Sequence, residues 1–212
     1  MKVIGIGGES ASGKTTLSNL ISSYDDDIEI IHLDNVLDDI KKGIVPNDDL
    51  KVAREGFEDV VVLKNNPFCN IKNPVFNLIY FNLRRLVVNS IVKRKLKETE
   101  NDKFSIAIIE GASLEAIDVS FDYLVKVQTT MPVRIDRWLE RDNESYSEKD
   151  MHKKDDYTRN LRGSKVLKYN RVINNPQGIF YMDKVAKEIY DEIKWLLSLF
   201  FVFTWCQNEV NI

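Results

Sequence analysis

Cysteine and histidine are scarce in this 212-residue chain, which holds two of each, and Cys69 and Cys206 lie far apart with no CxxC pair. Neither a disulfide framework nor a Cys/His zinc site can organise such a sequence, and it reads as one built for a reducing, intracellular setting. An excess of one charge is also lacking. Thirty basic residues face 33 acidic ones for a formal net charge of -3, so no overall positive field points to nucleic acid as a partner. Long apolar runs are missing too. The stretch that comes nearest, Trp195 to Cys206, falls short of the roughly 20 residues a spanning helix needs. It reads as a buried helix end or a contact between copies of the chain, in preference to a membrane anchor. No charged-then-apolar leader precedes the first apolar run, and the expected compartment is the cytoplasm.

The length suits one domain over residues 1–212, large enough to bury about 70% of the unfolded surface. Its organising stretch is Gly8-Glu9-Ser10-Ala11-Ser12-Gly13-Lys14-Thr15, which has the P-loop spacing of Gly, four free positions, then Gly-Lys-[Ser/Thr]. Such a loop between a strand and a helix gathers backbone N–H groups into one concavity, and the helix N-terminus adds its positive pole. Polyphosphate is the matching guest. Lys14 would reach the outer phosphates, and the Thr15 hydroxyl would bind the magnesium ion that accompanies them. The flanks agree, with the short apolar run 1–6 as a buried parallel strand and Leu17, Leu20 and Ile21 at helical spacing after the loop.

Further apolar runs at 28–33, 104–109, 123–127 and 171–173 read as strands. Two of them end on carboxylates. Asp34 follows the second strand and Glu110 follows the next; in an open parallel sheet ligands bind beyond the carboxyl ends of strands. Asp34 has two readings, a ligand-facing acid if its strand lies near the first, or an N-cap for the residues that follow. Glu110 is placed like the acid of a Walker B strand, which holds magnesium or its waters. His32 reads as an ordinary strand side chain, with no partner nearby in sequence to make a dyad.

Between 41 and 74 repeated Gly, Pro and Asn break the pattern, leaving short elements at 51–55 and 60–63 and a candidate wall for a second substrate. From Val75 a long helix is expected with Ile79, Leu83, Leu86, Val87 and Ile91 inward and a basic C-terminal end suited to the helix dipole. Residues 134–165 are the most charged span. They read as helices around a lid, most of whose charges pair along exposed faces while two or three arginines reach phosphoryl oxygens. A last amphipathic helix is expected from Met182 to Leu199, with Val185, Ile189, Ile193, Leu196 and Leu197 inward.

Taken together the motifs resemble the uridine kinase-like group of P-loop kinases, which includes nicotinamide riboside kinases, phosphoribulokinases and pantothenate kinases, over most of the chain. Gly8 to Thr16 resembles the family's phosphate loop, and His32-Leu33-Asp34 its strand ending in the acceptor-activating acid. Ile108-Ile109-Glu110-Gly111 is similar to its Val-Glu-Gly strand end, Arg137 to Asp142 to its Arg-x-x-x-Arg-Asp lid entry, and Val172 to Asn175 to the strand closing the adenine side. The chain departs from the family at Asn35-Val36-Leu37, where an aromatic is usual, at Asn73-Pro74, which lacks the nucleoside-binding acid, and after the lid entry, where Arg-Gly-Arg is missing. These departures concern the acceptor, not the phosphate donor.

The resemblance implies a doubly wound α/β P-loop fold with a helical lid, and transfer of the γ-phosphoryl of ATP or GTP to the hydroxyl of a nucleoside-like, riboside or vitamin acceptor. Gly8, Ser10, Ala11, Ser12, Gly13, Lys14, Thr15 and Thr16 would hold the nucleotide, and Thr15 and Glu110 the Mg2+. Lys14, Asp34, Arg137 and Arg141 would act in catalysis. The alternative is a nucleotide-binding regulatory module or pseudokinase. A regulatory GTPase would carry Asn-Lys-x-Asp, and a transport ATPase an LSGGQ-type signature; neither occurs.

Overall fold

The computed structural model describes residues 1–36, 74–142, 147–162, 165–176 and 179–209. Most of the expected second-substrate wall at 41–74, with its short elements, lies outside them. Five strands form one parallel sheet: β1 (Lys2–Gly7), β2 (Ile28–His32), β3 (Ile106–Gly111), β4 (Tyr123–Gln128) and β5 (Arg171–Asn174), in the order β2-β3-β1-β4-β5. The helices are α1 (Lys14–Ser22), α2 (Pro74–Asn101), α3 (Met131–Asp142), α4 (Glu148–Arg162) and α5 (Ile179–Glu209).

Alternation along the strands divides the core in two. Ile4 and Ile6 of β1 with Ile106 and Ile108 of β3 face Leu17 and Ile21 of α1 and Val185, Ile189 and Ile193 of α5. Ile31 and Ile109 face the other way, onto Val87, Val88, Ile91 and Val92 of α2. A parallel sheet covered on both faces needs strands that are apolar on both sides, and all six residues of β3 are buried. The chain leaves β1 toward β2 and β3 on one side and returns to β4 and β5 on the other. The crevice above the carboxyl end of β1 is therefore a topological switch point, and the phosphate-type loop sits there.

Three expectations are corrected. The second strand ends at His32, and residues 33–36 already turn as helix. Asp34 is thus inside the helical turn and is not its N-cap. Strand β2 lies one strand away from β1, with β3 between them. On α2, Leu86 is 44% exposed; the buried rows are 87/91 and 88/92, spaced by the four residues that bring side chains onto one face, and Leu86 stands about 100° away from Val87. The side chains of Ile79 and Leu83 lie outside the described residues.

The α2 helix starts on Pro74, the position where a missing N–H costs nothing. The α5 helix runs past the expected Met182 to Leu199 at both ends and carries the backbone of the apolar stretch. Its Trp195 is exposed. Among the described residues no helix is long and apolar enough to cross a membrane.

Candidate phosphate site

The loop after β1 takes its shape from two glycines. At Gly13 φ is +104°, and a Cβ there would stand 2.3 Å from Asn175 Nδ2. At Gly8 φ is +148° and a Cβ would stand 2.0 Å from the Val127 carbonyl oxygen. Ala11 is also left-handed, at φ 60°. Backbone of alternating hand is what turns successive amides into one anion-binding concavity, and α1 begins directly behind it with Lys14 as its first residue.

Arginines on α3 hold the outer side of this loop. Arg134, 2% exposed, donates from Nε to the Ser10 carbonyl at 2.8 Å and from Nη1 to Glu9 Oε2 at 2.9 Å. The same guanidinium forms a two-point pair with Asp155 of α4 at 2.9 and 2.6 Å. One turn later Arg137 donates to the Ser12 carbonyl at 3.3 Å and to the Asn175 carbonyl at 3.0 Å. Asn175, just after β5, closes the set with Nδ2 donating to the Ser12 carbonyl at 2.9 Å. Since a carbonyl only accepts, the amide nitrogen is the end that faces it.

Sequence alone gives Arg134 no role of its own within the charged span 134–165. Its spacing of three from Arg137, which puts both on one helix face, was the available signal.

Lys14 is 5% exposed, with Nζ donating to the Glu9 carbonyl at 3.1 Å and lying 3.8 Å from Glu110 Oε1. Burial pushes its pKa below the ordinary lysine value; Glu110 and then Asp34 oppose that, and Arg134 and Arg141 add to it. Lys14 thus feels both strand-end acids expected at the site, and Arg141 as well. Asp34, Thr15, Thr16 and Arg141 are exposed, whereas Glu110 is 3% exposed.

One contact overturns the reading of His32 as a bystander. The β2–β3 register pairs His32 with Glu110, and His32 Nδ1 lies 2.9 Å from Glu110 Oε2. Only the strand order reveals that partner.

Two buried polar atoms of this region, Ser12 Oγ and Asn175 Oδ1, have no hydrogen-bond partner. Buried polar groups are nearly always satisfied; the Ser12 hydroxyl can donate, so beside a glycine-shaped cradle and a buried ammonium it fits an anionic guest, whereas Asn175 Oδ1 only accepts and does not. Among the described residues no three His, Cys, Asp or Glu side chains converge on a self-sufficient metal cage. Thr15 and Glu110 are the donor types that hold Mg2+ together with phosphate oxygens.

The lid expected at 134–165 corresponds to α3 and α4, with exposed pairs such as Lys153–Asp150 and Arg159–Asp156 along α4. At its far end Arg162 Nε donates to the Ala112 carbonyl at 2.9 Å, just beyond β3, and pairs with Glu115.

No protein-family model and no curated protein matches the chain. Solved structures do. TT1252 from Thermus thermophilus aligns over 90% of this chain and 97% of its own, with 16% identity and a TM-score of 0.57. Deoxyadenosine kinase from M. mycoides, solved with dCMP and a flexible dCDP bound, aligns over 90% and 99%, with 14% identity and a TM-score of 0.50. At such identities the likeness is one of fold. The chain has the doubly wound α/β fold of the P-loop NTPases.

Proposed function

We propose that the chain is a small-molecule kinase that moves the γ-phosphoryl group of ATP or GTP to an acceptor hydroxyl. The observation that carries this reading is the buried Lys14 ammonium at the mouth of a glycine-shaped loop, 3.8 Å from Glu110 Oε1, with Asp34 and Arg141 near enough to act on its charge. The fold shared with a deoxyadenosine kinase supports it, as does the resemblance to uridine kinase-like enzymes. The loop residues Gly8, Ser10, Ala11, Ser12, Gly13, Lys14, Thr15 and Thr16 cradle the nucleotide phosphates. Thr15 and Glu110 would hold Mg2+, which would neutralise charge on the β- and γ-phosphate oxygens.

Asp34 orients the acceptor hydroxyl and takes its proton as the new P–O bond forms and the bond to the β-phosphate oxygen breaks. Lys14 and Arg141 stabilise charge on the transferring group. Arg137, whose guanidinium is engaged with the Ser12 and Asn175 carbonyls, contributes by holding the loop, and would turn to phosphate only by exchanging those partners. A nucleoside-like, riboside or vitamin alcohol is the acceptor class, the cytoplasm the compartment, and the apolar end of α5 a contact between copies of the chain.

Coupled ADP release across a panel of nucleosides, riboside vitamins and pantothenate tests the reading. With the right acceptor, Asp34→Asn should lower kcat by about 10² to 10⁴ and leave nucleotide affinity nearly unchanged. Nucleotide binding with no ADP formed from any acceptor would favour a regulatory module or pseudokinase.

A further inference from the structure

Glu110 is a buried carboxylate, 3% exposed, at the tip of the strand adjoining the phosphate loop. Burying such a group is costly unless both oxygens are engaged. One of them, Oε1, faces Lys14 Nζ at 3.8 Å, too long for a hydrogen bond. The other, Oε2, has His32 Nδ1 at 2.9 Å. The register explains how they meet: His32 and Glu110 are partners across β2 and β3, with the parity of Ile28 on one strand and of Ile106 and Ile108 on the other. All of these face the layer that contains α1. Hence the imidazole and the carboxylate lie on the side of the sheet from which Lys14 arises.

A carboxylate can only accept, so Nδ1 carries the proton and donates to Oε2, which it holds in place. A carboxylate held at one oxygen in this way keeps the other, Oε1, toward Lys14 and the loop. Metal-site carboxylates are oriented by such outer partners, whose loss typically weakens metal affinity by about 10- to 100-fold.

We infer that His32 is a positioning residue, which fixes the Glu110 carboxylate so that its other oxygen, Oε1, serves the magnesium of the bound nucleotide. This rests on the phosphotransferase reading of the site, in which Glu110 is a metal ligand. His32 touches neither phosphate nor acceptor in this role.

The test is binding of a fluorescent, non-hydrolysable ATP analogue, titrated with MgCl2 or measured in EDTA. His32→Leu should shift the magnesium needed for half-maximal tight binding upward by about tenfold or more, while affinity in EDTA stays at the wild-type value. His32→Asn, which can place a side-chain N–H near the position of Nδ1, should recover most of the loss. Wild-type magnesium dependence in His32→Leu, or no recovery in His32→Asn, would overturn the inference and leave the phosphotransferase reading standing. Wild-type protein that binds the analogue no better with magnesium than in EDTA would overturn the metal role of Glu110 and the inference together.

A second measurement needs no substitution at His32. The chain has two histidines, so 15N imidazole signals are assigned by the exposed His152→Gln variant. His32 should be protonated at Nδ1 in the wild type and should shift on adding the magnesium–analogue complex. A His32 ring protonated at Nε2 alone would refute the contact on which the role depends.

Discussion

Replacing Gly13 by alanine tests the geometry of the phosphate loop through one atom. The added Cβ would stand 2.3 Å from Asn175 Nδ2, well inside contact distance, so the Asn175 side chain has to swing away. It is 3% exposed and donates to the Ser12 carbonyl at 2.9 Å. Losing that bond while the amide stays buried costs about 1–3 kcal/mol. The backbone adds its own term. At φ +104° an L-residue is strained by roughly 1–2 kcal/mol. The sum is about 2–5 kcal/mol, and at about 2–4 °C per kcal/mol for a chain of this size the melting temperature should fall by about 4–20 °C.

A double-mutant cycle with Asn175→Ala separates the terms. The double variant has no side chain to collide with, so only the backbone strain of Gly13→Ala should remain on top of Asn175→Ala, and the two single losses should exceed the double by about 1–3 kcal/mol. Chemical denaturation of the four proteins gives this directly. Additivity within about 0.5 kcal/mol would refute the contact between Gly13 and Asn175, and with it the account of why glycine stands there.

Lys14→Met should leave turnover nearly absent and also alter stability with pH. The folded-state pKa of Lys14 is depressed, so between that value and the ordinary 10.5 the unfolded chain binds more protons and the lysine protein gains stability as pH rises. Wild type minus variant should therefore become more favourable from neutral pH toward about 10, read from urea midpoints; a flat difference would contradict the burial of the ammonium. For the lid, hydrogen exchange in α3 and α4 should slow on adding a Mg-ATP analogue, and equal exchange with and without ligand would reduce the pair to ordinary surface helices. Arg134→Met, which leaves Asp155 without its buried partner, should cost about 3–5 kcal/mol and speed exchange in α4 even without nucleotide.

Much of the fold was legible because its signals are local. Apolar runs of strand length and a loop with fixed glycine spacing survive any uncertainty about tertiary neighbours, and all five strands lie within a residue or two of where the runs place them. The strand order was not legible, and it decides the site. Glu110 meets His32 only because β3 lies between β1 and β2, and nothing within either run announces the pairing. Leu86 failed for another reason. A stripe drawn through 79, 83, 86 and 87 is as regular as one through 87, 88, 91 and 92, and only the position of the sheet chooses between them. Arg134 was hidden in a span whose charges otherwise pair along exposed faces; its burial distinguishes it.

Arg134 and Arg137 also help give the loop a shape suited to phosphate. The C=O and N–H of one peptide unit point in opposite directions across a rigid plane. Pinning the Ser10 carbonyl to Arg134 and the Ser12 carbonyl to Arg137 and Asn175 turns the amides of Ala11 and Gly13 away from α3. Donors aligned in advance need no reorganisation when charge arrives, which is the source of their strength in a site of this kind. Asp155 extends the arrangement to α4 through the same guanidinium that orients Ser10. Helices α3 and α4 are therefore joined to the loop through one guanidinium, which holds the Ser10 carbonyl by Nε and Asp155 by its two terminal nitrogens.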